Sequence, residues 1–120
     1  MRHRAPSRAD RVQPAIVAAL RAAGCSVQSL GEVGNGCPDL LVARAGQTWA
    51  IEVKQPDAPN LQRTWPPELR SFVGALDPRL RAEQAQWHAT WRGRLAVVDC
   101  VEGALAAVGL LAAEGAGGGR

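Results

Sequence analysis

Several absences narrow the function of this 120-residue chain before any motif is considered. It has three cysteines, Cys25, Cys37 and Cys100, an odd number with no Cys-x-x-Cys spacing. That argues against a zinc site or a disulfide framework, and the three read as buried or reduced thiols. No apolar stretch approaches the roughly 20 residues that a membrane-spanning helix needs. The Arg-rich start is followed by no signal-type hydrophobic run, so a cytoplasmic protein without a membrane partner is expected. The glycines of Gly31 to Gly36 are not followed by Gly-Lys-Ser/Thr, which rejects a P-loop. No internal repeat is visible. Lysine is nearly absent too: Lys54 stands alone among 14 basic residues, the other 13 being arginine.

What remains is a chain that is 47% hydrophobic, enough for one modestly cored domain. A net charge of +3 and a pI near 9.2 permit a polyanionic partner without demanding one. The most informative stretch runs from Gly34 to Lys54. Two apolar runs, Leu40 to Ala43 and Trp49 to Val53, flank an Ala45-Gly46 turn, which predicts a β-hairpin. With those two residues as the loop, Leu40 faces Ile51 and Val42 faces Trp49, making one side wholly apolar. On the other side Asp39 falls opposite Glu52, with Lys54 two residues further along the same face. A one-residue slip would scatter both sets.

Two carboxylates set opposite each other repel unless a cation lies between them. Their oxygens are the ligands that a hard divalent ion prefers, and a lysine alongside can steady an anion or handle a proton. Pro38-Asp39, a hydrophobic strand and then Glu52-Val53-Lys54 resembles the PD-(D/E)xK nuclease motif. The flanking text, Gly36-Cys37-Pro38-Asp39-Leu40-Leu41-Val42 and Trp91-Arg92-Gly93, is most similar to small phage-type nucleases of the virus-type replication-repair branch. Holliday-junction resolvases are more distant relatives. The similarity runs from about Asp10 to Val108. It implies a restriction-endonuclease-like core and Mg²⁺- or Mn²⁺-dependent hydrolysis of DNA, in the cytoplasm of a bacterial or phage-infected cell. Asp39 and Glu52 would hold the metal, with the Val53 backbone carbonyl and an acidic residue on the first helix, Asp10, as further donors. Lys54 would be catalytic. The resemblance also implies a glutamine beside the cluster, a place that Gln84 fills.

The remaining chain is organised around this hairpin. Residues 1–9 form a basic arm in which Arg2 and Arg4 are candidate phosphate contacts. A nuclease-like domain is expected over 10–113, followed by a disordered Gly-rich tail over 114–120. The first helix presents Ile16, Val17, Leu20 and Ala23 on one face and stops at Gly24. Because Pro14 cannot lie deep inside a helix, the start is placed near Asp10 or Gln13. Asp10 is therefore either an N-cap or the extra acid of the site. A strand over Cys25 to Leu30 leads into the glycine-rich loop, where Glu32 is either a third carboxylate of the site or a solvated loop acid. The long loop 55–78 carries Arg63, Trp65 and Arg70, two cations and an exposed aromatic suited to DNA. Its apolar residues, Trp65 included, serve equally to cover a sheet edge. A second helix is expected to begin at Asp77-Pro78, with Leu80, Gln84, Trp87 and Trp91 in one stripe. His88, one turn past Gln84, reads as structural. A short buried strand, Leu95 to Val98, and a helix capped by Asp99 complete the order α-β-β-β-α-β-α around a small mixed sheet.

The expected partner is duplex, branched or flapped DNA, gripped by a homodimer because one copy is small. The rival readings are a nucleic-acid-binding module of the same fold without catalysis, and a metal enzyme acting on a small phosphorylated substrate. The complete Asp/Glu/Lys set favours an enzyme over the first. The basic arm and the Arg/Trp loop favour a polymer over the second.

Overall fold

Apolar alternation in the hairpin determines the centre of the molecule. The computed structural model describes residues 8–111, the side chains of residues 8–11 excepted. β2 (Leu40–Arg44) and β3 (Gln47–Val53) pair antiparallel, with Leu40 opposite Ile51 and Val42 opposite Trp49. Ala45 and Gly46 carry φ of 53° and 79°. Two successive positive φ values are the signature of a type I′ turn, whose twist matches that of the strands it joins.

β1 (Ser26–Ser29) adds antiparallel to β2, and β4 (Arg94–Val98) adds parallel to β3. The sheet order is β1-β2-β3-β4, a small mixed sheet as expected. Because side chains alternate, each strand feeds two separate layers. On one face Leu40, Val42, Ile51, Val53 and Val98 meet Ile16 and Leu20 of α1 (Arg8–Ala22), and Ala104 of α4 (Val101–Ala107) with its C-cap Val108. On the other, Val97 joins a second cluster of Trp65, Leu69, Leu80 and Ala85, which belongs to the 55–81 segment and α3 (Ala82–Thr90). Among the described residues no helix is long and apolar enough to cross a membrane.

Several boundaries differ from expectation. α1 runs from Arg8, so Pro14 sits inside it and Asp10 is a helical residue, not the N-cap. The missing Pro14 N–H removes one rung only, and the apolar face of Ile16 and Leu20 outweighs that loss through burial. The end of α1 is as read. Gly24 is left-handed at φ 97°, and the Cys25 amide reaches back to the Leu20 carbonyl at 3.0 Å, closing a Schellman motif. The 55–78 loop is not wholly irregular, since it holds a 3₁₀ turn (Gln62–Thr64) and a one-turn α2 (Pro67–Arg70).

Asp77-Pro78 does not start a helix. The Asp77 carboxylate accepts from the backbone and guanidinium of Arg79, and Arg79 also donates to Asp99 at 2.9 Å and to the Gln55 carbonyl at 3.3 Å. That clamp holds the loop against the end of β4, and α3 begins only at Ala82. With Asp99 engaged there, the cap of α4 passes to Cys100, whose Sγ accepts from the Gly103 amide at 3.3 Å. The expected apolar stripe of α3 is also redistributed: its buried side chains are Gln84, Ala85 and His88, while Trp91 is exposed. The basic-arm residues Arg2 and Arg4, and the Gly-rich tail 114–120, lie outside the described residues.

Candidate active site

The face of the sheet covered by α3 brings three of the expected side chains together. Asp39 lies in the bend before β2, and its Oδ2 accepts from the Val53 amide at 2.7 Å. Its own carbonyl accepts from Leu30 at 2.8 Å, tying the glycine-rich loop to the hairpin. Glu52 points from β3 into this layer and is only 2% exposed. Its Oε2 accepts from Gln84 Nε2 at 3.0 Å and stands 3.7 Å from Lys54 Nζ. Gln84 Oε1 in turn accepts from Lys54 Nζ at 2.8 Å and from the Arg81 amide at 2.9 Å. Glu52, Gln84 and Lys54 thus form a closed ring of contacts, and the amide on the buried face of α3 has every polar atom engaged.

One glycine makes the ring possible. A Cβ on Gly36 would lie 2.4 Å from the Glu83 carbonyl oxygen and 3.2 Å from the Gln84 amide, and Gly36 adopts φ 80°. Only glycine allows the loop carrying Asp39 to touch the first turn of α3.

The electrostatics are strained. Burial pushes the Glu52 carboxyl up to about 8, and the nearby Asp39 charge adds to this, against the opposing pull of Lys54. Glu52 Oε1 is buried without a hydrogen-bond partner. An orphaned carboxylate oxygen beside a second carboxylate calls for a proton or a cation. The donor set therefore fits a hard divalent ion held by oxygen ligands. Among the described residues no group of three His, Cys, Asp or Glu side chains surrounds one point. Asp39 and Glu52 are the acidic pair, and an ion such as Mg²⁺ that retains several waters suits so small a set.

Asp10 lies on the first turns of α1, its side chain outside those described. Arg63 and Arg70 are brought together: with Asn60 and Gln62 they line a groove of about 440 Å³. Trp65 is corrected. It is 2% exposed, its Nε1 donates to the Leu80 carbonyl at 2.8 Å, and it packs under the loop instead of offering a ring to DNA. Glu32 is an exposed loop acid. His88 is buried, its Nε2 without a partner, and burial then the Lys54 charge lower it to about 4.

Two neighbours escaped the sequence reading. Arg81 draws Glu52 towards its charged form, and its spacing of three from Gln84 was the available signal, being that of a capping contact. The Cys37 thiol is pushed up by burial and then by the Glu52 and Asp39 charges.

No family model matches the sequence, and no curated protein matches it. A solved structure described as a VRR_NUC domain is similar, with 25% identity over 82% of this chain and 91% of that one, at a TM-score of 0.54. The chain has a VRR_NUC-like nuclease fold, and the mixed four-stranded sheet flanked by helices is its restriction-endonuclease-like core.

Proposed function

We propose, from a VRR_NUC-like nuclease fold carrying this cluster, that the protein is a divalent-metal-dependent deoxyribonuclease acting in replication, recombination or repair. The observation that carries the reading is the buried Glu52, ringed by Gln84 and Lys54, with Asp39 facing it and one carboxylate oxygen left unpaired. Asp39 and Glu52 would hold Mg²⁺ or Mn²⁺, with the Val53 carbonyl and Asp10 as further oxygen donors. Such an ion, when bound, neutralises charge on the scissile phosphate and acidifies a water.

The rest is the work of the chain. Gln84 fixes Lys54 Nζ at 2.8 Å, so the ammonium is aimed at the cluster and not into solvent. Lys54 orients the attacking water, or takes its proton. The Gly36 contact holds Asp39 against α3, and the second cluster beneath α3 keeps Gln84 in place. Arg63 and Arg70, which line one groove on the loop, would meet phosphates of the same polymer. The substrate is duplex, branched or flapped DNA, and the working form is a dimer.

Replacing Asp39 by Asn or Glu52 by Gln tests the reading. Each should abolish Mg²⁺-dependent cleavage of end-labelled DNA while the circular dichroism spectrum stays native. Undiminished cleavage in either variant removes the assignment. Neutralising Arg63 and Arg70 together should lower the slope of log affinity against log salt by about one for each phosphate that these arginines neutralise. An unchanged slope assigns the loop to packing alone.

A further inference from the structure

Two tryptophans, one on α3 and one at its C-cap, lie outside the carboxylate cluster. Trp87 and Trp91 stack with ring centroids 4.6 Å apart and planes 20° from parallel. Trp91 is 43% exposed, among the most exposed large apolar residues described. Its ring is held in one orientation: Nε1 donates to the Arg94 carbonyl at 3.2 Å, and the indole lies so close over Gly93 that a Cβ there would sit 3.0 Å from Nε1. Alongside, the Arg94 guanidinium covers the Trp49 ring at 5.7 Å. Arg92 and Arg94 are both exposed, and from Ala85 to Val98 the chain has no carboxylate at all. A pre-oriented indole stack, Trp91 exposed over a half-buried Trp87, in an acid-free and arginine-bearing stretch of chain is suited to stacking on bases while cations track phosphates.

We infer that the Trp87–Trp91 pair is a base-stacking platform for a single-stranded segment of nucleic acid, with Arg92 and Arg94 as its phosphate contacts. The inference rests on the nuclease reading for the identity of the polymer. Gln84 in the cluster and Trp91 at the C-cap lie seven residues apart along α3, about 10 Å at the helical rise. That spacing is on the order of three stacked nucleotides. The platform would therefore grip an unpaired tail or flap a few nucleotides from the scissile phosphate. A rigid stack gains affinity because the rings need no ordering on binding.

The test measures binding separately from cleavage. Fluorescence anisotropy of labelled oligonucleotides in EDTA, where no metal supports hydrolysis, compares a single strand, a tailed duplex and a blunt duplex. Trp91→Ala should lose about tenfold in affinity for the first two and little for the third, while Trp91→Phe retains most of it. A melting curve for each variant establishes that the fold is kept, and Arg92→Ala provides a second variant clear of the stack, expected to reduce the salt slope by about one. Equal affinity of wild type and Trp91→Ala for single strands overturns the inference. So does a change in oligomeric state without a change in single-strand affinity, which would make the pair a contact between copies of this chain. If the wild type binds as described but cleaves nothing with Mg²⁺ or Mn²⁺, only the nuclease reading fails.

Discussion

At the level of single side chains, the arrangement turns on one carboxyl group that is in the wrong place for a charge. Glu52 is almost wholly buried, and its carboxyl is raised to about 8 by burial first and by Asp39 second. At pH 7 and without metal it is mostly protonated, so an Mg²⁺ ion held by it would have to displace that proton. Nearly one proton should be released per ion at pH 7, and the release should fade above pH 9. Calorimetry in buffers of different ionisation enthalpy reads this directly; no release at pH 7 would remove Glu52 as a ligand. Gln84 is the second residue on which the site depends. Its amide donates to Glu52 and accepts from Lys54, so it orients both without itself being charged. Gln84→Ala should reduce kcat by about 10- to 100-fold, the usual cost of losing an orienting partner. Gln84→Glu should be worse, because it sets another negative charge against Glu52. A kcat unchanged in Gln84→Ala would reduce the residue to a helix-capping role through Arg81.

Elements made of local contacts are legible in the sequence, and those made of distant ones are not. The β2–β3 register follows from alternation and a two-residue turn, so Asp39, Glu52 and Lys54 fall on one face by sequence alone. Gly24 stops α1 as expected, because a Schellman motif is built within one turn. The start of α3 is different. Asp77-Pro78 has the chemistry of a helix start, but Arg79 occupies the Asp77 carboxylate and bridges to Asp99, a residue 20 positions away. Which of its two readings Trp65 takes, sheet cover and not an exposed ring, was hidden for the same reason, since the carbonyl that satisfies its indole belongs to Leu80, on a segment that folds back over it. The glycines before Asp39 suggest an unusual approach, and Gly36 is where that approach happens, against Glu83. Gly36→Ala should cost roughly 1–3 kcal/mol, from left-handed strain and from the backbone contact it would force. The same variant should lose activity beyond its stability cost, because Asp39 and Gln84 would be pushed apart. Urea unfolding and cleavage rate measured on one preparation separate the two effects, and a stable, fully active Gly36→Ala would show that the loop has room to move.

For the whole molecule, two buried groups on neighbouring elements set opposite pH limits on stability. His88 is held neutral, lowered to about 4 by burial and then by the Lys54 charge, with Asp77 pulling weakly the other way. A histidine depressed in the folded state contributes stability that is complete above the unfolded value near 6.5 and lost as pH falls through about 4. Across that window the loss is about 3 kcal/mol, large beside a total of roughly 5–15 kcal/mol for a domain. Glu52 acts in reverse. Its raised value means the metal-free fold weakens as pH climbs from the unfolded value near 4.5 to about 8, where the carboxylate becomes charged in the fold as well. Without metal the two slopes therefore cancel between about pH 4.5 and 6.5, where stability should be level, and above pH 6.5 Glu52 alone makes it fall. His88→Leu should uncover the Glu52 slope, so that stability keeps rising as pH falls from 8 to 4.5, and Glu52→Gln should remove the alkaline limb and leave a fall below pH 6.5. Mg²⁺ should lift the alkaline limb in the wild type, since Glu52 belongs to the proposed donor set and His88 does not. Melting temperatures across pH 4–9 with and without Mg²⁺ check the scheme. A wild-type alkaline limb that Mg²⁺ leaves unmoved would mean that the ion does not settle on Glu52.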